Sequence, residues 1–110
     1  MDIKKIIEHW FKASNAFDTE EYFKIYDADA VLEDTTIGET YHGHHGIRNY
    51  FEEFFIGYNT KTEIIDITFM NDKEVYINAI FDGNSFSKLK GVFELTFSNA
   101  KIIKVKCYLK

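Results

Sequence analysis

With 110 residues, the chain has the length of one domain and leaves no room for a second. Its net charge is −5, with 13 Lys and Arg residues scattered among 18 Asp and Glu residues, so nucleic acid is not expected as a partner, because phosphate backbones are bound by clustered basic residues. Aromatic residues make up 17% of the chain, so bulky rings must fill the core, line a cavity, or do both.

The N-terminal segment predicts an amphipathic helix and no targeting sequence. Residues 1–5 lack the continuous apolar run of a signal peptide, and no segment of the chain has the length needed to span a bilayer. We therefore expect a soluble, cytoplasmic protein with no membrane partner. The helix is predicted by apolar residues at the i, i+3, i+4, i+7, i+8 spacing, which are Ile3, Ile6, Ile7, Trp10 and Phe11.

A second helix and a strand are predicted next. Asp18 followed by Glu21 resembles a capping box, in which each side chain satisfies a free backbone N–H at a helix start. The short helix that follows is expected to carry Tyr22, Phe23 and Tyr26 on its buried side. Residues 30–34 read as a strand, and residues 35–38 as the turn that ends it.

The third helix is predicted to follow the Gly-His-His-Gly stretch at residues 43–46. Its apolar residues repeat the helical spacing, and Gly57 is placed to cap its end. These apolar residues are Ile47, Tyr50, Phe51, Phe54 and Phe55.

From Thr60 onward the apolar period changes to two, which predicts a meander of four antiparallel strands. Its turns are expected at residues 71–72, 82–84 and 99–100. The only cysteine, Cys107, lies in the alternation of the last strand, which predicts a buried, inert thiol. Helices first and strands after them indicate an α+β fold with one domain over residues 1–110. We expect a cone-shaped roll, in which three N-terminal helices pack on a strongly curved, mainly antiparallel sheet and leave a cavity for a ligand.

Two segments resemble a known family. Residues 29–34 end a strand in an acidic pair, and residues 41–51 carry Gly-x-x-x-Ile-Arg at the opening of the third helix. In this pattern the chain resembles the SnoaL-like and ketosteroid isomerase-like branch of the nuclear transport factor 2-like superfamily. The resemblance implies the same roll and a small-molecule pocket, and with them we expect a homodimer formed through the outer sheet face.

The resemblance also implies roles for individual residues. Asp34 falls where the isomerases keep the carboxylate that moves a proton next to a carbonyl. Tyr26 and Tyr50 fall at aromatic pocket positions of that family. The last strand matches further pocket-lining positions at Val105, Cys107 and Leu109.

The electrophilic half of the isomerase site does not carry over. Trp10 replaces the tyrosine that donates a hydrogen bond to the developing enolate, and Phe93 replaces the protonated acid that is its partner. Such donors contribute about 3–4 kcal/mol each in favourable cases. Trp10 could offer one indole N–H, whereas Phe93 can offer nothing. We therefore do not expect ketosteroid isomerase activity itself.

Alternatives stay open for each candidate. Asp34 is either a base beneath an aromatic roof or the cap of its turn through Thr36. The pocket wall is predicted from rings that could equally be plain core, namely Trp10, Tyr26, Tyr50, Phe54 and Phe93.

The histidines form the densest unusual cluster. His42, His44 and His45 do not have a metal-binding spacing, so no metal is expected, and they could serve as polar groups of a loop and a helix start. If one of them faces the pocket, we expect it to be His42.

Three functional hypotheses follow. The first is a small-molecule pocket protein for an apolar or ringed ligand, which as an enzyme would be an isomerase or lyase without a cofactor, with Asp34 as base and Trp10 or Tyr50 as a weak donor. The second is a non-catalytic binder of an apolar metabolite. The third is a dimerisation or protein-interaction module whose cavity is filled by its own rings.

Overall fold

The computed structural model describes residues 2–110 and contains three α-helices and six strands. The helices are α1 (Ile3–Asn15), α2 (Thr19–Lys24) and α3 (Gly43–Phe51), and a π-helical turn (Glu52–Ile56) extends α3. The strands are β1 (Tyr26–Asp34), β2 (Glu39–His42), β3 (Lys61–Phe69), β4 (Glu74–Gly83), β5 (Phe86–Ser98) and β6 (Lys101–Leu109). None of the helices within residues 2–110 combines the length and apolar content needed to cross a bilayer.

The strands form one six-stranded sheet in the order β2-β1-β6-β5-β4-β3. Only the β1–β6 pair is parallel, because α3 and the meander separate these two neighbours along the chain. Register shifts interrupt the ladder within β3, β4 and β5, and such bulges bend a sheet. The predicted α+β roll, with helices on a curved and mainly antiparallel sheet, is confirmed.

Both N-terminal helices begin at an aspartate. Asp2 accepts a hydrogen bond from the backbone N–H of Lys5, and Asp18 accepts one from the N–H of Glu21. Only half of the predicted capping box forms, since the carboxylate of Glu21 pairs with His9 and Lys24 instead of returning to Asp18.

The structure corrects the sequence prediction around β1 and β2. Tyr26 opens β1, where it pairs with Ile102, and does not lie on α2. β2 was not predicted, because its side chains are largely exposed and show no apolar alternation. α3 begins at Gly43 and includes the Gly-His-His-Gly stretch that was expected to precede it.

Gly57 ends the π-helical turn, but not as a left-handed cap. Its φ of −58° is right-handed. A Cβ at this position would lie 2.6 Å from the carbonyl oxygen of Glu53, so the close approach of backbone is what requires glycine here.

The register of three neighbouring strands positions the site. Asp34 on β1 lies opposite Cys107 on β6, and Cys107 lies opposite Phe93 on β5. All three side chains therefore lie in one row on the inner face of the sheet. The core fills the space beneath the helices on the same face, and its largest fully buried members include Tyr26, Leu32, Phe51 and Phe97.

Candidate functional site

A cavity of about 390 Å³ lies between the inner face of the sheet and the third helix with its π-helical extension. Most of its wall is hydrocarbon, and aromatic rings supply a large part of it. The residues that line it are Asp34, Thr36, Ile37, Tyr50, Phe54, Phe55, Tyr58, Thr60, Phe81, Ser85, Phe86, Leu89, Phe93, Cys107, Tyr108 and Leu109.

The polar centre of the cavity is the carboxylate of Asp34. Tyr50 on α3 donates a hydrogen bond of 2.6 Å to Oδ2, and the backbone N–H of Thr36 donates one of 3.0 Å to Oδ1. The predicted turn cap through Thr36 is thus present, and the same carboxylate lines the cavity, while its role as a base stays a prediction. Two donors from separate elements fix its orientation toward the ligand space.

The Tyr50 hydroxyl links Asp34 to Cys107. Its oxygen lies 3.3 Å from the Cys107 sulfur, and since its proton points to Asp34, the thiol is the donor in this second contact. Burial raises the pKa of Tyr50 well above its usual value, and the nearby sulfur and carboxylate raise it further. Burial also raises the pKa of Cys107 to about 12. Both groups therefore keep their protons at neutral pH, and Cys107 is a free, buried thiol, in line with the burial that the sequence predicted.

Aromatic rings form a large part of the remaining wall. The π-helical turn is closed by a bond from the Gly57 N–H to the Glu52 carbonyl, and this wider turn presents both Phe54 and Phe55 to the cavity. Across from them, Phe81 and Phe93 on β4 and β5 lie with ring centroids 5.5 Å apart.

The mouth of the cavity is apolar as well. Four residues with large hydrophobic side chains line the cavity and are also exposed, which are Ile37, Tyr58, Leu89 and Leu109. They come from the turn after β1, the loop after α3, and strands β5 and β6. An apolar molecule can therefore contact hydrocarbon at the entrance as well as inside the cavity.

Trp10 and Tyr26 lie outside this cavity, contrary to the sequence expectation. The Trp10 indole N–H donates to the Tyr26 hydroxyl at 3.2 Å, and the Tyr22 hydroxyl lies 2.9 Å from the same oxygen. These rings form a separate buried polar cluster. The geometry leaves Trp10 no free donor for a ligand, because its single N–H is already used.

Val105 and His42 are also outside the lining. Val105 pairs with Leu32 and Leu95, one row deeper in the core than Cys107. His42 is exposed at the end of β2, where its side chain makes no capping bond to α3. Six of the residues predicted for the pocket do line the cavity, which are Asp34, Tyr50, Phe54, Phe93, Cys107 and Leu109.

The histidine cluster does not converge on one point. His44 forms a hydrogen bond to the Tyr26 carbonyl oxygen at 3.1 Å and packs near Phe23, whereas His42 and His45 are exposed. Across residues 2–110, no group of three or more His, Cys, Asp or Glu side chains is arranged to hold a metal ion.

The sequence analysis missed several wall residues of the meander and the loops, although it predicted Phe93, Cys107 and Leu109. Phe81 and Phe86 flank the turn at residues 82–84 and both reach the cavity. The available signal was an aromatic residue on each side of a tight turn. That pattern does not tell whether the rings face a partner or an empty space.

Comparison with known proteins identifies relatives over almost the whole chain. A family model described as SnoaL-like domain matches residues 7–105. No curated protein matches the chain in a search. Solved structures match it closely in fold, but their sequence identity to this chain is too low to transfer a function from them.

Three of these structures illustrate the match. SalBIII, an epoxide hydrolase/cyclase-like enzyme of pyran ring formation in the polyether salinomycin, gives a TM-score of 0.85 at 19% identity, covering 97% of this chain and 89% of that one. An NTF2-like protein of unknown function from Cytophaga hutchinsonii gives 0.84 at 12% identity, covering 100% and 91%. A protein with a ketosteroid isomerase-like fold from Catenulispora acidiphila, solved in complex with trimethylamine, gives 0.80 at 19% identity, covering 94% and 83%.

Proposed function

The chain belongs to the SnoaL-like domain family, and on that premise we propose that it binds a small, largely apolar molecule in the cavity beside Asp34. One observation carries the proposal. A cavity of about 390 Å³ with an apolar wall holds a single carboxylate at its centre, and this combination of apolar walls with a few placed polar groups is typical of ligand sites. The cavity is open, so it is not filled by the protein's own rings as an interaction module would require.

The relatives favour a small-molecule site without naming its ligand. One of the structural neighbours acts in pyran ring formation and another holds trimethylamine. Folds of this kind carry many unrelated activities, so the ligand must be argued from the residues of this chain.

Proton abstraction by Asp34 next to a carbonyl is a second candidate function. Its support is the position of the carboxylate, which lines the cavity and is held by Tyr50 and Thr36 with lone pairs left for a substrate. The reaction would be an isomerisation or an elimination without a cofactor.

The same geometry weakens that candidate. A developing enolate needs a donor, yet the Trp10 N–H is donated to Tyr26, and Phe93 has none. The Tyr50 proton is donated to Asp34. Ketosteroid isomerase activity is therefore not proposed, and binding without chemistry is the function that the contacts support best.

The test is a panel of cyclic ketones and enones, measured for binding by calorimetry and for deuterium uptake from heavy water at the α-carbon. Wild type is compared with Asp34→Asn, and Glu33→Gln is the matched control, because Glu33 lies on the opposite face of β1 opposite Lys106. Exchange lost in Asp34→Asn and kept in Glu33→Gln would establish a base. Binding without exchange supports the binder. Failure of every ketone and enone to bind would rule out proton abstraction next to a carbonyl, and the binding site itself is contradicted if hydrocarbon and amine probes of matching size fail to bind as well.

A further inference from the structure

We propose that the cavity selects a cationic ligand, namely a protonated amine attached to a hydrocarbon body, with its ammonium group against Asp34. This inference rests on the proposed function, since it names the ligand class for the same cavity. It is carried by three features of the wall: its charge, its hydrogen-bonding groups and its rings.

The charge of the wall is uncompensated. Asp34 is half-buried and is the one acidic residue among those that line the cavity, and no Lys, Arg or His belongs to the lining within residues 2–110. A carboxylate in apolar surroundings is costly unless a charge of opposite sign or several hydrogen bonds offset it. Two hydrogen bonds reach Asp34 from the protein, and a ligand cation would supply the missing charge.

The carboxylate of Asp34 requires a donor from the ligand. The Tyr50 proton is committed to Oδ2, and the Thr36 N–H is committed to Oδ1. The carboxylate still offers its remaining lone pairs, which only accept. A ketone or an ether brings an acceptor and could bond only to a hydroxyl beside the carboxylate, such as that of Thr36, whereas a protonated amine brings an N–H donor and the positive charge to the carboxylate itself.

Three aromatic rings near the carboxylate also favour a cationic ligand. Tyr50, Phe54 and Tyr58 follow one another with centroid distances of 5.1 Å and 6.3 Å, and Tyr58 is 40% exposed at the entrance. Aromatic faces attract cations through the negative potential above the ring, and clusters of such rings recognise alkylated ammonium groups. An amine in the cavity would thus lie beside three aromatic rings, of which Tyr50 contacts Asp34 directly.

The test compares two probes of nearly the same shape. N,N-dimethylbenzylamine is protonated at about pH 7, as alkylamines are, and isobutylbenzene is its uncharged counterpart. Binding of each is measured by ligand-observed NMR at low ionic strength. We expect the wild-type protein to bind the cation at least about tenfold more tightly than the hydrocarbon.

Two variants test the assignment of the preference to its residues. Asp34→Asn should bring the ratio of the two affinities close to one, and Glu33→Gln should leave it unchanged. Phe54 is half-buried, and Phe54→Leu keeps an apolar side chain there while removing the ring. This variant should lower the ratio of the two affinities severalfold. It provides a second measurement if Asp34→Asn does not fold.

The outcomes separate this inference from the proposed function. If both probes bind equally, or if the ratio survives in Asp34→Asn or in Phe54→Leu, the amine class is wrong while the cavity remains a binding site. If neither probe binds, both proposals fail. Tighter binding of the cation that disappears with Asp34 supports both.

Discussion

The hydroxyl of Tyr50 donates a 2.6 Å hydrogen bond to Oδ2 of Asp34, and this contact joins the third helix to the end of the first strand. The two residues are 16 positions apart in sequence. Their contact fixes both the carboxylate that a ligand would meet and the ring that begins the aromatic wall. It is therefore the contact on which the proposed binding site most depends.

Removing the hydroxyl of Tyr50 should weaken the fold and loosen the carboxylate. Tyr50→Phe leaves the ring in place and removes one hydrogen bond to a charged group, which typically contributes about 1.5–3 kcal/mol. We expect the free energy of unfolding in urea to fall by an amount near the lower end of that range, because Asp34 is only half-buried. Affinity for the amine probe should fall as well.

Tyr41→Phe is the matched control for this experiment. The Tyr41 ring lies 4.9 Å from that of Tyr50, but within residues 2–110 its hydroxyl makes no side-chain hydrogen bond. Its removal should change stability by less than about 0.5 kcal/mol. Equal losses in the two variants would contradict a special role for the Tyr50 contact.

Gly91 should tolerate no larger side chain, because the Phe81 ring packs directly over it. A Cβ at this position would collide with Cε2 of Phe81 and lie 3.0 Å from the Tyr108 carbonyl oxygen. We expect Gly91→Ala to cost about 1–3 kcal/mol through overpacking and to reduce ligand affinity, since Phe81 lines the cavity.

A second substitution checks the reason for that loss. Adding Phe81→Leu to Gly91→Ala removes the ring atoms that the new methyl group meets, so part of the stability should return in chemical denaturation. If the double variant is no more stable than the sum of the single changes predicts, the Phe81 contact is not the cause.

The buried cluster of Trp10, Tyr22 and Tyr26 should act on stability and not on binding. Tyr26→Phe removes the oxygen that accepts from the Trp10 N–H at 3.2 Å and leaves that donor buried without a partner. The expected loss is about 1–3 kcal/mol in the unfolding free energy. Amine affinity, measured on the folded variant, should stay within about twofold of wild type. A tenfold loss would indicate that the Trp10 cluster contributes to ligand binding.

The protein should lose stability in alkali. Burial raises the pKa of Cys107 from its usual 9.0 to about 12, so the folded state holds this proton more tightly than the unfolded state. The stabilisation is fully present below pH 9 and is lost as the pH rises toward 12, with a slope of up to about 1.4 kcal/mol per pH unit for one group. Tyr22, Tyr26 and Tyr50 act in the same direction above their usual value of 10.0.

Thermal unfolding between pH 7 and 11 measures this effect. The midpoint should stay nearly constant to about pH 9 and then fall, and Cys107→Ala should make the fall between 9 and 10 shallower although it lowers stability overall. A midpoint that rises with alkaline pH, or an unchanged slope in Cys107→Ala, would contradict the buried-thiol assignment.

Periodicity by itself predicted the order of the helices, of β1 and of the four-stranded meander, but not β2, whose largely exposed side chains show no apolar alternation. The spacing of apolar residues predicted the three helices, and the alternation after Thr60 predicted the meander. The family resemblance implied pocket positions for Asp34 and Tyr50, and the ring spacing of the third helix added Phe54 as a candidate for the same wall. The spacing of apolar residues is a local feature, because it depends on which side of a helix or strand faces away from water.

Only the tertiary structure decided which buried rings meet a cavity and which meet one another. Trp10 and Phe93 both occupy apolar positions of their elements. In the structure, however, the Trp10 N–H donates to Tyr26 away from the cavity, whereas Phe93 lines the cavity wall. Phe81 and Phe86 reach that wall because the sheet curves and its strands pair in a particular register. Those pairings join residues distant in sequence, and no local pattern reports the distance between two buried surfaces.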